Sequence, residues 1–273
     1  MDDLSTLEMI NTTNIGLSSY NFHQHVASDI GVNQKYLPSQ NILTQSHLDS
    51  ILQWTREHRM QLNGKKTKIM IINFTKNYQF STRIHLGDDL LEIIDETRLL
   101  GLEITSDLKF HKNTEVMIKK AYARMCILHK LYSFNVPVED LLHIYILYIR
   151  SLVEQNVAVW NHTITQEEVD DIERVQKTAL KIILKENYVD YHSALQSADM
   201  EKLCVRRTTL CLRFAKSCLK NEKMADMFPL NPNYDEKLRN SEKYQVKFAH
   251  NNRLKDSAIP ALQRMLNEYT RSK

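Results

Sequence analysis

The sequence predicts an α+β protein that is predominantly α-helical, with a small antiparallel sheet followed by a helical bundle, and three observations carry that expectation. Glycine and proline are scarce, five of each in 273 residues, which disfavours barrels, sandwiches and collagen-like repeats and favours long helices. Short β-branched runs broken by turn residues are confined to residues 65–105. From Phe110 to Lys220, apolar residues recur at three- and four-residue spacing. With 42% apolar residues the chain can bury a real core.

Residues 1–43 are rich in Asn, Ser and Thr, hold no sustained period and are expected to be irregular. From Thr44 onward Leu48, Ile51, Leu52 and the indole of Trp54 recur at helical spacing, and Leu62-Asn63-Gly64 supplies a stop signal, so a helix is expected between them. Residues 66–74, 83–86, 90–94 and 98–104 read as the strands of the small sheet, with Gly87-Asp88-Asp89 as a turn. Val116, Ala121, Met125, Leu128 and Tyr132 then form one helical stripe. Pro137 suits a first helical position and is followed by Glu139 and Asp140 in the favourable first turn, opening a helix with Leu141, Leu142, Tyr145, Ile149 and Leu152. Thr165-Gln166-Glu167-Glu168 has the spacing of a capping box, ahead of Val169, Ile172, Val175, Ala179 and Ile183. A fourth helix is expected from Met200 to Lys220, and Pro229 and Pro232 open a charged, weakly periodic tail expected to pack loosely. The expected division is 1–43, 44–108, 109–220 and 221–273.

Lys plus Arg exceed Asp plus Glu by only 36 to 33, so any argument for an acidic partner has to rest on local patches. No run approaches the roughly 20 apolar residues of a membrane span, and the acidic opening Met1-Asp2-Asp3 is unlike a signal peptide, so an intracellular protein without membrane contact is expected. Cys204, Cys211 and Cys218 fall seven apart, about 10 Å along a helix per step, too far for disulfides and without zinc-ligand spacing. They read as core thiols.

Four features, in order, resemble the polymerases of non-LTR retrotransposons and their group II intron relatives. Asp2-Asp3 within Met1-Asp2-Asp3-Leu4-Ser5-Thr6 looks like the second half of the aromatic-x-Asp-Asp box. Leu62-Asn63-Gly64-Lys65-Lys66-Thr67-Lys68, preceded by Trp54, resembles the Leu-Asn-x-x-Lys-Thr signature of the next palm motif. Arg98-Leu99-Leu100-Gly101-Leu102-Glu103-Ile104 resembles the Leu-Gly turn of the primer-grip hairpin. Tyr145, Arg150-Ser151, Glu154, Trp160, Ile172-Glu173, Val175-Gln176-Lys177, Tyr191, Ala194-Leu195, Leu203 and Arg206-Arg207 follow the order of the helical region beyond the palm.

The resemblance implies a palm remnant at 44–108 and a thumb-like bundle at 109–220, from an RNA-directed DNA polymerase of retrotransposon origin. It implies Asp2 as the carboxylate that binds catalytic Mg2+ in the intact parent, with Asp3 beside it. Lys66 and Lys68 would lie near nucleotide phosphates, and Leu100 and Gly101 would support the primer end. Phosphoryl transfer in this family uses two magnesium ions held by carboxylates from two separate palm strands. Only the Asp-Asp box is matched here, so the fragment is expected to be inactive alone and to need no cofactor.

Independently of that likeness, residues 202–220 contain no acidic side chain, and helical winding gathers Lys202, Arg206, Arg213, Lys216 and Lys220 into one stripe. Such a ridge attracts a phosphate backbone, and RNA or an RNA–DNA hybrid is the expected partner of what could equally be a non-enzymatic binding module. Lys119, Lys120, Arg124 and Lys130 form a second, weaker cluster. The stretch from Leu100 to Phe134 also resembles a short segment of AlkB-type dioxygenases and methyltransferases, and His47-Leu48-Asp49 supplies a His-x-Asp pair. That pair falls on an expected helix, and no Gly-x-Gly loop for a methyl donor accompanies it.

Overall fold

The computed structural model describes residues 7–11, 39–72, 83–235, 242–246, 248–249 and 252–272. They form a mostly helical α+β protein. The described residues up to 108, apart from 101–103, make one compact unit, and 101–103 with those from 109 onward make another.

The first unit holds β1 (Leu7–Asn11), α1 (Ser39–Glu57), β2 (Lys68–Ile72), β3 (His85–Leu86), β4 (Asp89–Leu90), β5 (Glu92–Ile93) and β6 (Glu96–Leu99). β3 and β4 form an antiparallel hairpin, and β6 joins β7 (Leu102–Thr105) across a two-residue turn, a link that only antiparallel strands allow. The three-stranded sheet is different. β1 and β2 run parallel, Leu7 opposite Lys68 and Asn11 opposite Ile72, and β2 runs parallel to β5. Parallel neighbours need a long crossover, which the segment containing α1 supplies; short β-branched runs carry no information about strand direction. β1, and a start for α1 at Ser39, replace part of the irregular segment expected at 1–43.

The core of this unit gathers Leu48 of α1 with Ile69, Ile84, Leu86 and Leu91, and Leu52, Leu62 and Ile71 pack around it. Trp54 does not join it: the residue is 52% exposed and its ring lies 4.3 Å from that of His58. Six residues beyond Leu48, it sits about 120° around the helix from the apolar face. Nor is α1 ended by Leu62-Asn63-Gly64. Arg59 takes a left-handed φ of 56°, and the Met60 N–H reaches back to the Thr55 carbonyl at 2.8 Å, a Schellman motif. With glycine so scarce, Asn135 and Asp199 do the same at later helix ends, where Val136 N–H bonds Leu131 O and Met200 N–H bonds Leu195 O.

The second unit opens with α2 (His111–Ser133), burying Met117, Ala121, Met125 and Leu128. After it come α3 (Val138–Ile144), a wide π-turn (Tyr145–Arg150) and α4 (Ser151–Glu154). Pro137 is the N-cap of α3, one position earlier than expected. Leu141, Tyr145, Ile149 and Val153 are all fully buried. Their four-residue spacing overshoots a full α-helical turn by about 40° at each step, and the slower winding of the π-turn takes up that drift. For the same reason Val153, and not the expected Leu152, continues the buried line.

α5 (Val157–Trp160), α6 (Gln166–Leu184), α7 (Tyr191–Ser197), α8 (Leu203–Cys218) and α9 (Glu222–Ala225) follow. The capping box of α6 is present in full: Glu168 N–H donates to Thr165 Oγ1 at 3.3 Å and Thr165 N–H to the Glu168 carboxylate at 2.8 Å. α6 packs along α2, and buries Ile172, Val175, Ala179, Leu180 and Ile183.

The loosely packed tail is corrected by α10 (Asn252–Lys255) and α11 (Ala258–Arg271). α11 packs against α8 and buries Ala261, Leu262 and Leu266. Asn267 exchanges two hydrogen bonds with the Tyr244 backbone, at 2.8 and 2.9 Å, and Gln263 Nε2 donates to the Met227 carbonyl at 2.8 Å. The apolar period at Ala258, Ala261, Leu262, Met265 and Leu266 is helical, and Pro260 falls in the first turn, where proline is tolerated. High local charge concealed this stripe.

Candidate nucleic-acid interface

α8 carries the basic residues, and its placement begins with a carboxylate. Glu173 of α6 accepts the N–H groups of Leu203 at 3.1 Å and Cys204 at 3.2 Å, satisfying two of the orphan donors of the first turn and opposing the positive end of the helix dipole. The Tyr191 hydroxyl donates to Glu173 as well. Gln176 links this group to the interior: it accepts from the buried Tyr145 hydroxyl at 2.9 Å and donates to Tyr191 Oη at 3.1 Å and the Glu201 carbonyl at 2.9 Å. Burial raises the pKa of both tyrosines, and for Tyr191 the Glu173 carboxylate adds to it. Both stay protonated and able to donate.

The inward face of α8 is Leu203, Arg207, Cys211, Ala215 and Cys218, all buried. Cys211 and Cys218 are free thiols, and burial pushes the Cys211 thiol up to about 11. Cys204 is half-buried. Arg207 is buried with them, its Nε donating to Asn161 Oδ1 at 2.9 Å and its guanidinium 6.0 Å from the Trp160 ring centroid. Burial lowers its pKa, with Glu173 opposing that shift.

At about 100° per residue, Arg206, Arg213 and Lys216 fall on the side opposite this face, with Lys202 at the N-cap and Lys220 just past the C-cap. The structure divides the expected five-residue ridge. Lys202, Arg213 and Lys220 are exposed and have no ion-pair partner among the described residues. Arg206, at one flank, turns back onto Glu154, donating from Nε and, at 3.3 Å, from Nη2; Glu201 lies 3.9 Å from its Nη1. The bond to Glu154 raises the Arg206 pKa. Lys216, at the other flank, places its ammonium 3.2 Å from the Tyr269 ring centroid of α11. No local sequence pattern joins Glu154 or Tyr269 to α8, because both contacts span about fifty residues and depend on packing.

The remaining expected residues lie elsewhere. Lys68 pairs with Glu92, so its charge is compensated within its own sheet. The Lys66 N–H donates to both oxygens of Asn63, closing a tight turn in which a Cβ on Gly64 would come 2.2 Å from Asp89 Oδ2. Leu100 and Gly101 form the tip of the β6–β7 hairpin, both with positive φ, 48° and 85°, as a two-residue type I′ turn requires. Leu100 is 86% exposed, whereas a Cβ on Gly101 would come 2.4 Å from Gln155 Nε2. Asp2 and Asp3 lie outside the described residues.

Two of the four residues of the second basic cluster are engaged. Lys119 bonds Glu115 at 2.6 Å, and Arg124 stacks 4.2 Å from the Tyr148 centroid while donating to the Tyr148 carbonyl. His47 and Asp49 sit two residues apart on α1, so their side chains diverge by about 160° around the helix. Among the described residues no three His, Cys, Asp or Glu side chains converge as a metal site. No family model, curated protein or solved structure matches this chain.

Proposed function

We propose that this chain is a reverse-transcriptase-like protein of retrotransposon origin whose helical unit holds an RNA or RNA–DNA backbone without itself carrying out synthesis. The supporting observation is the exposed set of Lys202 at the N-cap, Arg213 on the outer face and Lys220 just past the C-cap of a helix with no acidic residue between those positions. Cations so placed recruit phosphates by releasing condensed counterions and read no base edges. The ordered palm and thumb motifs give the same class of partner. Magnesium belongs to the intact family enzyme; the described residues offer no carboxylate set that fits it, and no catalytic step is assigned to them. An intracellular setting suits this reading, and no helix among the described residues is long and apolar enough to cross a membrane.

Titration of the full chain with a labelled single-stranded RNA and with an RNA–DNA hybrid, at several salt concentrations, tests the proposal. Binding should weaken steeply with salt and vary little with base sequence. Salt-independent or absent binding would overturn it.

A further inference from the structure

Glu154 holds two arginines at once. Arg206 of α8 donates to both of its oxygens, and Arg150, one turn earlier on its own helical segment, has Nε 3.1 Å from Oε1, an ion pair without a hydrogen bond. The side chains of Arg150 and Glu154 are 13% and 15% exposed, and that of Arg206 is 27% exposed. The most accessible member of the trio is therefore the one at the edge of the basic line.

A carboxylate with a single arginine would be left bare if that arginine departed, at a heavy desolvation cost. Glu154 would not be, because Arg150 stays within ion-pair distance. From this arrangement we infer that Arg206 is a phosphate-binding residue held in reserve, and that Arg150 and Glu154 are positioning residues which set when it is released. The inference rests on the proposed nucleic-acid reading. An arriving phosphodiester offers Arg206 the same two-oxygen geometry as the carboxylate, so one charge-assisted pair replaces another. Arg150 then neutralises Glu154, and Glu201, exposed and 3.9 Å from Arg206 in the closed arrangement, returns to water. Among the described residues the resting protein shows three unpaired cations on or flanking α8, and the bound one uses four.

Arg150 is the discriminating position, since it lies on another element and mostly out of solvent. Glu154→Gln removes the competing charge and should tighten binding several-fold, with a salt slope steeper than or equal to that of wild type. Arg150→Gln should act the opposite way, weakening binding several-fold and flattening the slope by up to about one unit, as Arg206→Gln does. Combining Arg206→Gln with Glu154→Gln should erase the gain. Fluorescence anisotropy with a uridine 20-mer reads all four variants, and melting curves check that each is folded. If Glu154→Gln does not fold, the 15N shift of the Arg206 Nε–H in wild-type protein replaces it: the signal should move on RNA addition, and a stationary signal overturns the inference. Wild-type binding that is indifferent to Arg150→Gln and Glu154→Gln in folded protein overturns the reserve role alone. No RNA binding by wild type overturns both this and the function on which it rests.

Discussion

Glu173 reaches from α6 to accept the backbone N–H of Leu203 at 3.1 Å, so one helix supplies the cap of another thirty residues away. The N-cap of α8 is Lys202, a residue with no side-chain acceptor, so the helix makes no cap of its own. Glu173→Ala should lower stability by about 2 kcal/mol, through two unsatisfied N–H groups and the loss of the Tyr191 bond. Denaturant unfolding measures it; a change within experimental error would mean that water serves equally well at this end.

The wide turn predicts opposite outcomes for two apolar residues within three positions. Ile149 is fully buried and Leu147 is 75% exposed. Ile149→Asp should unfold the helical unit or cost at least about 4 kcal/mol, because it buries an unpaired charge. Leu147→Asp should change stability by under about 0.5 kcal/mol. Thermal melts of both would show misplacement of the turn if the two shifted alike.

His162 gives an acid-side prediction. Its Nε2 is buried with no hydrogen bond among the described residues, and burial, followed by the nearby Arg264 charge, lowers its pKa below the ordinary 6.5, with Asp256 partly opposing. A base with a depressed folded pKa is protonated first in the unfolded chain. Its contribution is thus present above about pH 6.5 and lost as the pH falls. The melting temperature of His162→Gln should fall less steeply than that of wild type between pH 7 and pH 5, and parallel curves would exclude His162 as the cause.

Binding should depend on Arg213 and Lys220 individually. Arg213→Gln and Lys220→Gln should each weaken RNA binding for every sequence tested and reduce the salt slope by about one unit. Melting should barely change, since solvated charges add little stability. Slopes identical to wild type would leave the line as an ordinary wet face.

Primer extension should fail. With primer, template, nucleotides and magnesium or manganese, the purified chain should give no product, because the proposed function has it hold a nucleic-acid backbone without carrying out two-metal transfer. Synthesis abolished by Asp2→Asn would refute this.

Two helices were legible from a cap or an amphipathic stripe, since Thr165 and Glu168 announced α6 and Ala121, Met125 and Leu128 lined α2, whereas the stripe of α11 was lost among its charges. The β-branched pattern read 98–104 as one strand, and only the likeness to a primer-grip hairpin marked Leu100-Gly101 as a turn; the chain turns there, between Glu96–Leu99 and Leu102–Thr105. The parallel sheet was not legible, since β1 and β2 meet across more than fifty residues and neither run encodes direction. At the candidate interface, sequence placed five cations on one side of α8, but Arg206 and Lys216 have folded back onto Glu154 and Tyr269. Helical geometry fixes where a Cβ points; a long side chain chooses its partner among neighbours brought by packing.

Backbone winding also sets the charge of a distant helix. Arg150 ends the π-turn Tyr145–Arg150 and Glu154 follows in the next helical turn, so the bearing of Glu154 towards Arg206 is decided by the one extra residue that the wide turn absorbs. Were the same residues wound as plain α-helix, Glu154 would swing by about 100° relative to Leu141 and Tyr145. Arg206 would lose its carboxylate although no charged residue had been altered, so a change of backbone winding alone would act as an electrostatic mutation.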